Sequence, residues 1–330
     1  MRREDAMVPE ADFRSYYGQP VIKAPVWHEP NMPLYLYLGG LSGAASVMSA
    51  MARFTGRDRL ALAGGITAVA GAAGGAAFLV AELGRPERFL NMLRVFKPTS
   101  PMSMGSWLLA AHSGLATVAA ASSVAAASPG SRIVSRLPAG VAAALPAAGG
   151  AAALVTVLTG PLMATYTAVL VADTAVPAWH EAHRELPFLF AGSALASAGA
   201  LGMLAVPPAE AGPARTVAVL GAALETAAGA VLERRLGLVG EPYRLGKAGR
   251  RMRIARALTV GGALLTTVAG RSRALAALSG AALTAGALYT RFGVLEAGRA
   301  SAADPKYTVV PQRRRRETRK VVRPPARVWP

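Results

Sequence analysis

A few polar side chains stand out against long apolar runs in this chain. His28 and Asn31 lie just ahead of the first run, and Glu82 and Arg85, three residues apart, close the second. His112, Tyr166 and Glu225 lie within later runs, where a group of that kind is expensive and asks for a reason. Tyrosine, histidine and asparagine can donate hydrogen bonds to a carbonyl-bearing ligand, and Glu82, His112 and Glu225 can carry protons. Each also has a plainer reading. His28 can be a solvated loop histidine, and Tyr166 an interfacial belt residue. Glu82 and Arg85 can pair on one helix face. His112 can satisfy itself with an interhelical hydrogen bond. Glu225 stands mid-run with no cation in its own segment. A carboxyl there can transfer a proton or hold a structural hydrogen bond, and both readings stay open.

Metal chemistry finds little support. The chain has no cysteine, which excludes disulfides, thiolate-bound zinc and an iron–sulfur cluster held by this chain alone. Of its four histidines only His112 lies in an apolar run, so paired axial ligands for a membrane haem are missing. His180 and His183 sit three apart in a loop beside Glu181 and Glu185, a weak pattern for a metal. No metal site is expected. A redox role would therefore need a small bound carrier, and a lipid-soluble quinone is the natural one.

The elements that must position these groups follow from composition. The 330 residues are 53% hydrophobic and only 16% charged, with a net charge of +18. Soluble domains carry about 25% charged residues, so the pattern points to an all-α, polytopic membrane helix bundle. Neither a cleavable apolar leader nor a twin-arginine signal is expected, because Arg2 and Arg3 are not followed by an apolar stretch. Nucleic acid is not expected as a partner, because the basic residues fall between and after the apolar runs without interleaved aromatics. Eight spans are expected, at 34–52, 60–81, 104–127, within 137–172, 186–206, 216–232, 257–270 and 274–290.

Residues 137–172 would make a helix of about 54 Å, too long for a bilayer core of about 30 Å. Pro146 is expected to mark the true start of that helix, and Pro161 to kink it. With eight spans, 28 Lys and Arg fall on the side of the termini and 8 on the other, which puts both termini in the cytoplasm. The division is a cytoplasmic segment 1–33, a transmembrane domain 34–297 and a basic cytoplasmic tail 298–330, expected to be extended against lipid headgroups or a partner subunit. In this orientation His28, Asn31, Glu82, Arg85, His112 and Tyr166 all lie toward the cytoplasmic face. Arg291 is expected to close the last helix there. The convergence suggests a polar pocket open to that half of the membrane. Gly39 with Gly43, and Gly71 with Gly75, are small-xxx-small pairs suited to packing within the bundle, or to a dimer seam or quinone-tail groove.

Several segments carry a family resemblance. Tyr16-Tyr17-Gly18-Gln19-Pro20 precedes the first span, which opens with Tyr35-Leu36-Tyr37-Leu38-Gly39-Gly40. Glu82-Leu83-Gly84-Arg85-Pro86 runs on to Lys97-Pro98-Thr99-Ser100-Pro101-Met102. Thr165-Tyr166-Thr167 leads to Val176-Pro177-Ala178-Trp179, and Ala303-Asp304-Pro305-Lys306-Tyr307 follows the last span. The set resembles the NrfD-like family, the PsrC-like membrane subunits of polysulfide-reductase-type complexes.

The resemblance implies an anchor without haem or metal, itself part of an oxidoreductase of anaerobic respiration in the bacterial cytoplasmic membrane. It implies a quinone site near the face where a four-cluster ferredoxin-like iron–sulfur subunit docks. That subunit would relay electrons to or from a molybdopterin catalytic subunit, such as a formate dehydrogenase or polysulfide reductase. By analogy the headgroup is held by His28 or Asn31 and by Tyr166, with Glu82 and Arg85 beside it. Glu82 stands where aspartate is commoner. Proton supply falls to Glu82, extended by His112 and Glu225 if protons are translocated. The Ala- and Arg-rich usage fits a GC-rich bacterial genome and so menaquinone. The alternative is a transporter or proton channel that uses Glu225 and the kinked fourth helix without electron transfer.

Overall fold

The computed structural model describes residues 21–128, 130 and 134–322, with side chains as far as residue 316. Residues 15–20 of the N-terminal motif, most of the 1–33 segment and residues 323–330 of the tail lie outside the described residues. Helices follow one another as α1 (Asn31–Phe54), α2 (Asp58–Glu82), a 3-10 stretch (Pro86–Leu93), α3 (Pro101–Ala127) and α4 (Ala139–Ala172). After the short α5 (Pro177–His180) come α6 (Leu186–Ala205), α7 (Gly212–Arg235) and the short α8 (Glu241–Arg244). The chain continues through α9 (Gly246–Val268) and α10 (Arg273–Ala303) to α11 (Lys306–Val322). No strand occurs among the described residues.

Six helices, α1 to α4, α6 and α7, are long and apolar enough to cross a membrane. At the places expected for the seventh and eighth spans stand α9 and α10. They are longer than expected, 23 and 31 residues. Both carry charges that separate them from the six: Lys247, Arg250, Arg251, Arg253 and Arg256 in α9, and Arg291, Glu296 and Arg299 in α10.

Short connections make successive helices neighbours, and α1 with α2, α3 with α4, α6 with α7 and α9 with α10 pack against each other. α1 and α6 lie innermost. Small residues permit this. A Cβ on Gly71 would lie 2.9 Å from the Leu38 carbonyl oxygen, and one on Gly43 would overlap the Gly160 carbonyl. The glycine pairs thus seat α1 against α2 and α4 inside the bundle. Leu154, Leu158 and Leu162, four apart, point outward from α4, as a lipid-facing stripe does.

Three expectations are corrected. α4 begins at Ala139, so Pro146 lies inside it together with Pro161. Extended Pro138 starts the helix, and the alanine-rich stretch after it favours helix strongly. Arg53 donates to the Pro146 carbonyl at 3.3 Å. The helix reaches about 51 Å at 1.5 Å per residue, so part of it extends past the bilayer core. Arg291 does not close the last helix: α10 runs on to Ala303, and Arg291 is fully buried. The tail is helical over Lys306–Val322 rather than extended. It is fastened by Lys306 to Glu241 at 3.0 Å and by Arg315 to Glu181.

Candidate functional site

The site is built where α2 ends. Gly84, with φ at +66°, turns the chain out of the helix, a conformation open to glycine. Glu82 is therefore the last helical residue, and its side chain faces the segment leading into α1. Its Oε1 accepts the His28 backbone N–H at 2.8 Å and lies 3.3 Å from the His28 ring Nδ1. Its Oε2 is buried and makes no hydrogen bond among the described residues. A buried carboxylate oxygen left without a partner is costly, so this atom favours a ligand that can donate to it.

The segment at residues 26–30 is held across the site from the other side. Glu29 accepts from Arg251 of α9 at 2.7 and 3.0 Å, with Arg299 at 3.6 Å. Trp27 stacks on Trp179 at 5.3 Å between centroids, and its carbonyl accepts from Arg299. Beneath this segment Met32 and Tyr35, one turn apart on α1, are both buried. The Tyr35 hydroxyl is hydrogen-bonded to that of Tyr166 from α4. The Tyr166 ring needs a bare α3 backbone, because a Cβ on Gly105 would lie 2.7 Å from its Cε2.

These parts enclose a cavity of about 350 Å³. Its walls are mostly apolar, with Val26, Trp27, Met32, Leu79 and Leu170 among them, and the polar groups are His28, Glu82, Ser106 and the two tyrosines. A largely apolar pocket with a few convergent polar groups is the usual form of a small-molecule site.

Residues 19–228 match the family described as polysulphide reductase, NrfD. This chain belongs to the NrfD family. The matched stretch contains every wall of the cavity, while α9, α10 and α11 follow it. No curated protein matches the chain. Membership makes it a multi-pass membrane protein of a family associated with quinone-linked oxidoreductase complexes. Members of that family generally interact with quinone and work beside iron–sulfur and molybdopterin subunits.

In this NrfD-family chain the residues singled out from the sequence fall into two groups. His28, Glu82 and Tyr166 share the cavity wall. Asn31 opens α1 and Arg85 is exposed ahead of the 3-10 stretch, and neither lines the cavity. Glu82 turns to His28 rather than to Arg85, because Gly84 separates Arg85 from the helix. His112 is fully buried apart from the cavity, with Nδ1 at 2.9 Å from Thr159 Oγ1 and Nε2 at 3.5 Å from Ser46 Oγ.

Glu225 belongs to a different cluster. It accepts from Thr290 at 2.6 Å and Thr259 at 3.3 Å, beside a void of about 20 Å³, room for one water. Next to Thr290, Arg291 donates to Ser193 at 2.7 Å and to the Phe190 carbonyl at 3.0 Å, and lies 3.7 Å from the Phe190 ring centroid. Arg291 of α10 thus lies beside the Glu225 cluster, while the hydrogen bonds to Glu225 itself come from the two threonines. The His180 Nδ1 lies 3.2 Å from the Ala172 carbonyl, and that of His183 lies 2.9 Å from the His180 carbonyl. No cluster of three metal-ligating side chains occurs among the described residues. Sequence reasoning missed Tyr35, Trp27 and Gly105. Tyr35 lies one turn after Met32 on the face that follows His28, a spacing that could have signalled it.

Proposed function

We propose that this chain is the quinone-reactive membrane subunit of a molybdopterin and iron–sulfur oxidoreductase, and that the cavity receives the quinone headgroup. The observation that carries this reading is a hydrogen-bonded tyrosine pair and a buried carboxylate oxygen, unpartnered among the described residues, in the wall of one mostly apolar cavity. The donor set fits the group. Within the tyrosine pair one hydroxyl donates and the other accepts, so one O–H stays free for a ligand oxygen. Glu82 Oε2 can accept from the hydroxyl of the quinol form, and a protonated Glu82 carboxyl would donate to a quinone carbonyl. The His28 side chain is 74% exposed while that of Glu82 is 10% exposed, so the pair links bulk water to the interior. A bound quinone supplies two-electron, two-proton chemistry. The apolar walls limit water there and strengthen each of these hydrogen bonds.

In this reading α9 and α10 are the seventh and eighth spans and both termini are cytoplasmic, with the division at 1–33, 34–297 and 298–330. The count of 28 basic residues against 8 supports it. The iron–sulfur partner is a four-cluster ferredoxin-like subunit docked on the cytoplasmic face, with the molybdopterin subunit beyond it. The membrane is the bacterial cytoplasmic membrane and the quinone is menaquinone. Purification from native membranes in mild detergent, with partners identified by mass spectrometry, tests the reading. Co-purification of both partners with quinone-linked activity is expected. A chain that purifies alone and supports no quinone reduction would contradict it and favour transport through the Glu225 cluster.

A further inference from the structure

A second cavity, of about 210 Å³, lies beside the first and shares Met92, Met102 and Ser106 with it. Serines and a lysine contribute to its wall, and the serine hydroxyls are engaged with the backbone. Ser103 Oγ donates to the Val95 carbonyl at 2.9 Å and accepts the Lys97 backbone N–H at 3.0 Å. Ser106 Oγ donates to the Met102 carbonyl at 2.8 Å. The Ser100 hydroxyl caps α3 by accepting the Ser103 N–H at 3.4 Å. Apart from the Lys97 side chain, whose long methylene stem lets its ammonium reach the lipid headgroup region, what faces a ligand is carbon and sulfur: Met92, Val95 and Met102.

The outer rim points to lipid. Leu90, Val95, Phe96, Met102 and Trp107 are exposed, and Phe96 stands edge-on to Trp107 at 6.1 Å. Arg88, Arg94 and Lys97 lie among them in sequence, so the 86–97 connector has the composition of an interfacial segment. Methionine is unbranched and adaptable, suited to a wall that must yield to a flexible chain.

The geometry points to this second cavity as the groove for the prenyl tail of the ligand whose headgroup occupies the first, leaving toward lipid between the 86–97 connector and the start of α3. Continuity through Met92 and Met102 identifies the occupant, because an apolar chain attached to a headgroup must leave through an apolar opening. The inference rests on the headgroup reading above.

The test uses the full-length chain in phosphatidylcholine nanodiscs and two ligands, a menaquinone with a prenyl tail and tail-less dimethylnaphthoquinone. Val95→Trp fills the groove from the connector and does not touch the headgroup cavity. It is expected to weaken the tailed ligand about tenfold, the affinity carried by roughly two buried methylenes, and to leave the tail-less one unchanged. Val95→Phe narrows the same groove with a smaller ring and gives the same reading should Val95→Trp fail to fold. Leu158→Trp, exposed on α4 and outside both cavities, leaves both ligands unchanged. Equal affinity of the tailed ligand for wild type and both groove variants overturns the groove while the headgroup site stands. Failure of wild type to bind either ligand removes the headgroup site and the groove with it.

Discussion

Tyr166 shares the cavity wall with His28 and Glu82, and among the described residues its side-chain hydrogen bond is to Tyr35. Tyr166→Phe removes the hydroxyl and keeps the ring that fits over Gly105. We expect quinone-linked turnover to fall about tenfold or more, the value of one well-placed hydrogen bond, with expression and thermal stability retained. Tyr35→Phe should act in the same direction, and the double variant should cost less than the product of the two, because the hydroxyls work as a pair.

Glu29 gives a pH dependence. Burial opposes its ionisation, but the Arg251 hydrogen bond and the charges of Arg251, Arg299 and Lys247 outweigh this and hold its carboxyl below the ordinary value of 4.5. A carboxyl depressed in the folded state contributes fully above its ordinary value and loses that contribution as pH falls through the folded one. Hydrogen exchange of residues 26–30 should therefore be slow at neutral pH and rise in acid below 4.5. Glu29→Gln should raise it already at neutral pH and flatten the acid response. At this scale His28, Glu82 and Tyr166 were legible because polar groups at the ends of apolar runs are conspicuous. Asn31 and Arg85 were equally conspicuous yet lie off the wall. The direction each side chain takes depends on the Gly84 turn and on the path of the 26–30 segment, neither of which periodicity reports.

Among the elements, α3 and α4 meet at the site through one missing side chain. Gly105→Ala places a methyl against the Tyr166 ring, and the overlap must be relieved by moving the ring or separating the helices. A loss of about 1–3 kcal/mol is expected, typical of overpacking, with quinone-linked turnover falling at least as far as in Tyr166→Phe. Thermal unfolding beside turnover separates the two effects: lost turnover with little lost stability means the ring has moved. Helix positions were readable from the apolar runs, and the glycine pairs were readable as packing seams. Helix ends were less so. α4 starts before Pro146 because the alanine-rich turn ahead of it is stable enough to absorb the proline. α11 is helical because Glu181 and Glu241, distant in sequence, fasten its basic residues.

For the whole molecule, the absence of cysteine makes topology directly measurable. Single cysteines at Glu87, Glu181 and Asp304 should label from the cytoplasmic side in sealed vesicles, and those at Arg57, Glu210 and Ser272 from the other. Labelling of the Ser272 position from the cytoplasmic side would remove α9 and α10 as a pair of spans. The charge count proposes this arrangement, and nothing in it foretold that α10 carries Arg291 into the interior. A buried arginine is satisfied by carbonyls and hydroxyls from other helices, and no spacing within its own segment foretells them.

The most direct measurement is photo-cross-linking of an azido-quinone to the full-length chain in native membranes, with the modified peptides mapped by mass spectrometry. Adducts are expected within residues 26–35, 79–106 and 166–170, displaced by unmodified quinone and lost in Tyr166→Phe. Displaceable adducts confined to α7, α9 and α10 around Glu225 would contradict the assignment of the cavity.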